Sequence, residues 1–153
     1  MATHSIPVPS TGWTSHAWAR AKADPTYGAF VLLWLGFIAI PLIMGLDKFF
    51  NVLTTWENYL APWIENLSPF SAHGTMMAIG VVEIIAAILM ILRPRYAAWV
   101  VAVWLLGIVV NLLSYSGFYD VALRDFGLMV AAVALALLAR TYTKPGIGKG
   151  GMK

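Results

Sequence analysis

Residues 73–92 read HGTMMAIGVVEIIAAILMIL, an apolar run in which Glu83 is the one acidic side chain and no Lys or Arg occurs. A hydrocarbon core ~30 Å thick is crossed by about 20 helical residues rising ~1.5 Å each, and this run has that length. Lipid offers no partner to backbone N–H and C=O groups, so a spanning segment must satisfy them internally, as a helix or within a closed barrel. The alternation of apolar and polar residues that a barrel strand needs is missing, which leaves the helix. Three further runs share this character: Ala29 to Leu46, Ala97 to Tyr115 and Val121 to Ala139. Across the 153 residues 60% are apolar and only 11% charged, too few polar groups to cover a water-soluble fold. The expected fold class is an all-α membrane protein, a four-transmembrane-helix up-down bundle.

These runs divide the chain into an N-terminal segment 1–28, a transmembrane domain 29–140 (spans 29–46, 73–92, 97–115 and 121–139, outer loop 47–72) and a basic tail 141–153. Arg20 and Lys22 precede the first span, Arg93 and Arg95 fill the turn after the second, and Arg140, Lys144, Lys149 and Lys153 follow the fourth. The other two connections carry Asp47, Glu57 and Glu65 with Lys48 alone, and Asp120. Basic residues mark the cytoplasmic side, so both termini are expected inside. The net charge of +3 resides in these flanks rather than in one patch, so nucleic acid is not an expected partner. Pro7, Pro9, Gly12, Arg20 and Lys22 stand where a cleaved leader would place an apolar run, so the N-terminus is expected to be retained. The absence of cysteine excludes disulfides, thiolate metal sites, iron–sulfur clusters and Cys nucleophiles in this chain.

The connections carry their own signals. Arg93-Pro94-Arg95 is short enough to force an antiparallel hairpin, and Pro94 stops its helices from merging. In the outer loop Phe49, Leu53, Trp56, Leu60 and Trp63 recur at alternating spacings of four and three, with Asn51, Glu57 and Asn58 off that stripe. The spacing predicts an amphipathic interfacial helix in the first outer loop, ending before Pro62; packing of the same aromatics over the bundle is the equal alternative. Trp13, Trp18 and Arg20 point to a shorter interfacial element ahead of Pro25. Gly74 with Ala78, Ala132 with Ala136, and Ala86-Ala87 offer surfaces where helices can approach closely. Pro41 is expected to bend the first span and leave a carbonyl near Phe37 without its usual donor.

Polar groups that lipid would reject are where function is sought. Glu83 lies ~15 Å along its helix from His73, at ~1.5 Å per residue, and must face the bundle interior. There it serves as a proton acceptor or ligand-binding acid, or as the buried partner of another helix. Asp47, Lys48, His73, Asn111, Arg124 and Asp125 are expected near the outer end of the bundle, brought to one level by topology. Met76, Gly80 and Glu83 share one helical face, and His73 and Met77 an adjoining one. Taken singly, each has a structural explanation: Lys48 snorkelling to headgroups, Arg124 with Asp125 as an interfacial ion pair, Asn111 bonding between helices, His73 capping a helix. No metal site is expected, and a haem held by two His is not, because His4 and His16 lie on the opposite side. Phosphate loops, dinucleotide fingerprints, HExxH and GxSxG are missing, and the glycines at 146–151 follow no strand.

Met44-Gly45-Leu46-Asp47-Lys48-Phe49 at the end of the first span, Gly80-Val81-Val82-Glu83-Ile84-Ile85-Ala86-Ala87 in the second and Ala122-Leu123-Arg124-Asp125 opening the fourth resemble the DoxX-like membrane proteins, over roughly residues 30–140. That resemblance implies a four-helix bundle of a prokaryotic cytoplasmic membrane, associated with quinone-linked redox chemistry such as the small membrane subunit of thiosulfate:quinone oxidoreductase. It implies catalytic roles for Glu83, Lys48 and Asp125. His73, Asn111, Arg124 and Asp47 are the expected pocket residues, with quinone as the expected cofactor and Lys48 and Arg124 as attractors for an oxyanion. Membrane lipids and other membrane subunits or further copies of the chain are the expected partners. The alternatives are a non-catalytic accessory or assembly subunit of a respiratory or photosynthetic complex, and a small transporter or scramblase. The Trp-rich outer loop and long N-terminal segment depart from the family pattern.

Overall fold

Proline decides where three of the helices begin. The computed structural model describes residues 19–143, and α1 (Pro25–Asp47), α2 (Pro62–Leu67) and α4 (Pro94–Leu113) each start on a proline. The first N–H of a helix has no intrahelical acceptor, and the fixed φ of proline suits helix entry. Asp24 caps α1 by accepting from the Thr26 and Tyr27 N–H groups. Ser71 caps α3 (Ala72–Leu92) by accepting from the Gly74 N–H. The last helix, α5, runs Tyr119–Tyr142. Of the interfacial element expected before Pro25, Trp13 and Trp18 lie outside the described residues, and 19–23 is helical. The tail residues Lys144, Lys149 and Lys153 likewise lie outside them.

Helices α1, α3, α4 and α5 are long and apolar enough to cross a membrane. The chain is a multi-pass membrane protein built as a four-helix bundle, with no strand among the described residues. Large apolar side chains such as Leu32, Ile85, Val103 and Leu123 are exposed on each of these helices, which lipid tolerates and water would not. The end carrying Arg20, Lys22, Arg93, Arg95 and Arg140 is the basic end; the opposite end, closed by residues 48–71, is the loop end.

Each spanning helix packs on its neighbours in sequence, and α5 closes the ring onto α1. The most extensive interfaces are α4 with α5 and α1 with α3, ahead of the α3–α4 hairpin that the Arg93 turn imposes. Small side chains account for this. Ala98 and Ala102 on α4 and Ala132, Ala136 and Ala139 on α5 are buried, so the two backbones come close enough for dispersion and weak hydrogen bonds to act. At the α1–α3 crossing a Cβ on Gly45 would sit 2.8 Å from the Gly80 carbonyl oxygen, and one on Gly80 would sit 2.6 Å from the Gly45 oxygen. Of the small residues marked in the sequence, Ala87, Ala132 and Ala136 are buried, Ala78 is exposed, and Gly74 contacts Phe70 and Ser71 beside its own cap.

The hairpin contains a second consequence of proline. Pro94 has no N–H to donate to the Met90 carbonyl four residues earlier. The Trp34 indole of α1 donates to that carbonyl instead, at 2.8 Å, so the group is satisfied in lipid by a neighbouring span. Met90 is itself fully buried.

The outer loop departs from a single amphipathic helix running up to Pro62. It holds a 3-10 turn at Trp56–Tyr59 and α2, which begins at Pro62. Asp47 explains the break: its carboxylate accepts from the Val52 and Leu53 N–H groups at 3.1 and 3.0 Å and from the Trp56 indole at 2.8 Å. Those donors turn toward the end of α1, and Asn51 takes a left-handed φ of 52° to make the reversal. Local capture by a carboxylate outcompetes the helical ladder.

Candidate functional site

The Gly45/Gly80 crossing positions the buried charges. Lys48 lies three residues beyond Gly45, at the C-terminal cap of α1, and Glu83 three residues beyond Gly80 on α3. Every Cα–Cβ bond of a helix tilts toward its N-terminus, so on antiparallel neighbours these two side chains lean toward one another. Lys48 Nζ donates to Glu83 Oε2 at 2.7 Å, with Lys48 4% and Glu83 9% exposed. The ammonium also lies 3.7 Å from the centre of the Trp56 ring, a cation–π contact that covers it from the loop side. Two charges removed from water are thus mutually neutralised, which is what a low-dielectric interior demands.

Beside this pair is a cavity of about 540 Å³. Phe37, Ile40, Pro41 and Met44 of α1 form one wall, at the point where Pro41 cannot donate to the Phe37 carbonyl. Met76, Glu83 and Ala86 of α3, Trp104, Leu105 and Asn111 of α4, and Arg124, Asp125 and Leu128 of α5 form the others. Leu53, Trp56, Tyr59, Leu60 and Ile64 supply the lining from the loop, which roofs the space. Both Pro41 and the loop aromatics therefore serve the cavity.

The structure brings together Lys48, Glu83, Asp125, Asn111 and Arg124 around this cavity, and places His73 and Asp47 elsewhere. Met76, Gly80 and Glu83 form the buried stripe of α3. Asp125 is half-buried and takes no hydrogen bond from the described residues; Arg124 pairs with Asp120 at 3.3 Å instead, on an exposed face. Asn111 fastens the roof: its carbonyl oxygen accepts from the Ala61 N–H at 3.0 Å, and its amide donates to the Tyr59 carbonyl at 2.8 Å. His73, exposed, pairs through Nδ1 with Glu57, whose carboxylate also accepts from the Asn51 amide at 3.1 Å. The N–H of Glu57 itself, then His73 and Asn51, hold the Glu57 carboxyl below the ordinary range. Asp47 organises the loop turn. Lys48, covered by Trp56 and committed to Glu83, is withdrawn from the outer surface, so the cation it was expected to offer an oxyanion is not presented there.

Trp104 was not among the residues singled out from sequence. Its side chain lines the cavity, and its indole nitrogen is buried without a hydrogen-bond partner among the described residues. A Trp in the middle of an apolar span was the available signal, because a buried indole N–H normally finds an acceptor.

The described residues contain no group of three or more His, Asp or Glu side chains arranged to hold a metal ion. An apolar slot with a paired ammonium and carboxylate, a second acid and one free donor can hold an uncharged amphiphilic ring and exchange protons with it. No protein-family model, curated protein or solved structure matches the chain.

Proposed function

We propose that the chain is a DoxX-like integral membrane subunit of a quinone-linked redox system, seated in a prokaryotic cytoplasmic membrane with both termini inside and the cavity toward the extracytoplasmic face. The observation that carries this is the Lys48–Glu83 pair beside an otherwise apolar cavity of about 540 Å³. Ligand cavities run to roughly 300–1,000 Å³ with a few polar groups that fix orientation. The orientation is supported by the basic residues at the end opposite the loop.

A quinone supplies two-electron, two-proton chemistry when bound. Toward it, Glu83 Oε1 takes no hydrogen bond from a described residue and is available to hold a proton, while Lys48 keeps Oε2 and fixes the carboxylate plane. Asp125, on the neighbouring wall, gives a second proton site closer to the loop end. The apolar walls and the loop roof exclude bulk water from these groups. Electrons pass to or from a partner subunit that carries a redox centre.

A second reading has support of its own. The Lys48–Glu83 bond also clips the Gly45/Gly80 crossing, which is what a non-catalytic accessory or assembly subunit would need. Glu83→Gln in protein purified into lipid nanodiscs separates the two. The quinone reading expects ubiquinol-1 to bind wild type, a ring hydroxyl donating to Glu83 Oε1, and to bind Glu83→Gln more weakly by about tenfold or more, the worth of a hydrogen bond to a charged group. Equal binding, or none by wild type, removes it.

A further inference from the structure

The indole groups of three other tryptophans are each matched to an acceptor: Trp34 to the Met90 carbonyl, Trp56 to Asp47 and Trp63 to the Ser114 hydroxyl, all at 2.8 Å. Trp104 breaks that pattern, its Nε1 being buried and unpartnered within a side chain that lines the cavity. Of the other polar groups there, Asp125 on α5 takes no hydrogen bond from the described residues but lies closer to the loop end. Asn111 is spent on the loop backbone and Lys48 on Glu83. What stays free on the α4 wall is one donor, Trp104 Nε1–H, and on the α3 wall one acceptor, Glu83 Oε1.

The two groups stand at the same depth. Trp104 is nine residues from Leu113 at the loop end of α4, and Glu83 eleven from Ala72 at the loop end of α3, which at ~1.5 Å per residue is about 14 and about 16 Å. Around that level Phe37, Val101, Leu105 and Leu128 line the cavity. They offer no side-chain acceptor to the indole.

We infer that the Trp104 indole N–H is a ligand-binding donor, facing Glu83 across the cavity, and that the occupant is an apolar ring bearing a hydrogen-bond-accepting oxygen. This rests on the quinone reading and deepens it. Trp104 donates to one ring oxygen, and Glu83 Oε1 accepts from a hydroxyl on the opposite side of the ring, which the quinol form presents. An occupant lacking the oxygen leaves the indole unsatisfied, so Trp104 also sets specificity against a plain hydrocarbon of equal size.

The test is a titration of the full chain in nanodiscs with ubiquinol-1, comparing wild type with Trp104→Phe, and following the indole ¹⁵N–¹H resonance that this variant lacks. Ubiquinol-1 is expected to bind Trp104→Phe about fivefold more weakly, as for one neutral hydrogen bond, and to shift the Trp104 indole resonance of wild type on saturation. Should Trp104→Phe fail to fold, the benzothienyl analogue of Trp at this position keeps the ring shape and removes only the N–H. Binding by wild type with equal affinity in the variant, or with an unmoved indole resonance, overturns the role of Trp104 and leaves the quinone reading standing. Absence of binding by wild type overturns both.

Discussion

The Lys48 ammonium lies 2.7 Å from the Glu83 carboxylate, at the place where Gly45 and Gly80 bring α1 and α3 into backbone contact. One geometric fact serves two ends: the missing Cβ atoms let the helices touch, and the contact lets a lysine at the end of one span reach an acid in the middle of another. Removing either partner of such a pair strands a charge in a low-dielectric interior. Lys48→Met is therefore expected to lower stability by about 3–5 kcal/mol, and the double variant Lys48→Met/Glu83→Leu to recover most of the loss. Detergent-titration unfolding checks it. A single variant as stable as wild type contradicts the burial of the pair.

Glycine at the crossing is required by space rather than by backbone conformation. In Gly80→Ala the new Cβ would have the Gly45 oxygen at 2.6 Å, and the helices must part, at a cost of about 1–3 kcal/mol. Gly36→Ala is the control: no heavy atom lies within 4 Å of its added Cβ, and alanine favours a helix by roughly 0.5–1 kcal/mol. A drop in melting temperature for the first variant with none for the second is the expected outcome. Equal effects would place the crossing elsewhere.

The roof of the cavity hangs on Asn111. Asn111→Leu removes its bonds to the Ala61 N–H and the Tyr59 carbonyl, and an unmade buried hydrogen bond costs about 1–3 kcal/mol each. The loop is expected to open locally before the bundle does, with amide exchange at 59–61 faster by tenfold or more and little change in α3 or α5. Exchange unchanged at 59–61 would show that other contacts hold the roof.

Loop stability should also depend on acid. The Glu57 carboxyl is held below its ordinary range by its own N–H, by His73 and by Asn51. A carboxyl whose value falls on folding contributes stability that is complete above its unfolded value and lost as pH drops through the folded one. Opening of residues 51–60 is thus expected to increase as pH falls below about 4.5, the ordinary Glu value, and Glu57→Gln should flatten that dependence. Solvent-exposed fluorescence of Trp56 against pH reports it, and parallel curves for the two proteins would contradict it.

The four spans were legible in the sequence because lipid leaves helical backbone no alternative, and the helices extend beyond the apolar runs at Pro25, at Pro94 and at both ends of α5. Pro94 separates α3 from α4 as its sequence position implies, and both it and Pro25 also begin helices, since a residue without N–H loses nothing at that position. The outer loop was less legible. Its stripe of Phe49, Leu53, Trp56, Leu60 and Trp63 has helical spacing, but Asp47 captures the local donors, and a carboxylate's choice among backbone N–H groups leaves no periodic trace. Glu83, conspicuous in an apolar run, lies on the cavity wall. His73 and Asp47 share its end of the bundle but face the loop, because level along a helix is readable from sequence and azimuth across a bundle is not. Trp104 is not legible in the sequence because an indole in a span reads as apolar, and its missing acceptor is a property of the packing alone.

Photolabelling of wild type in nanodiscs with an azidoquinone, followed by peptide mapping, tests most directly whether the cavity beside Glu83 is a quinone site. Saturable label confined to cavity-lining positions of α3 and α4, displaced by excess ubiquinol-1 and reduced in Glu83→Gln, is the expected result. Label that is unsaturable, or that falls on lipid-facing positions such as Ile85 and Val103, would contradict it.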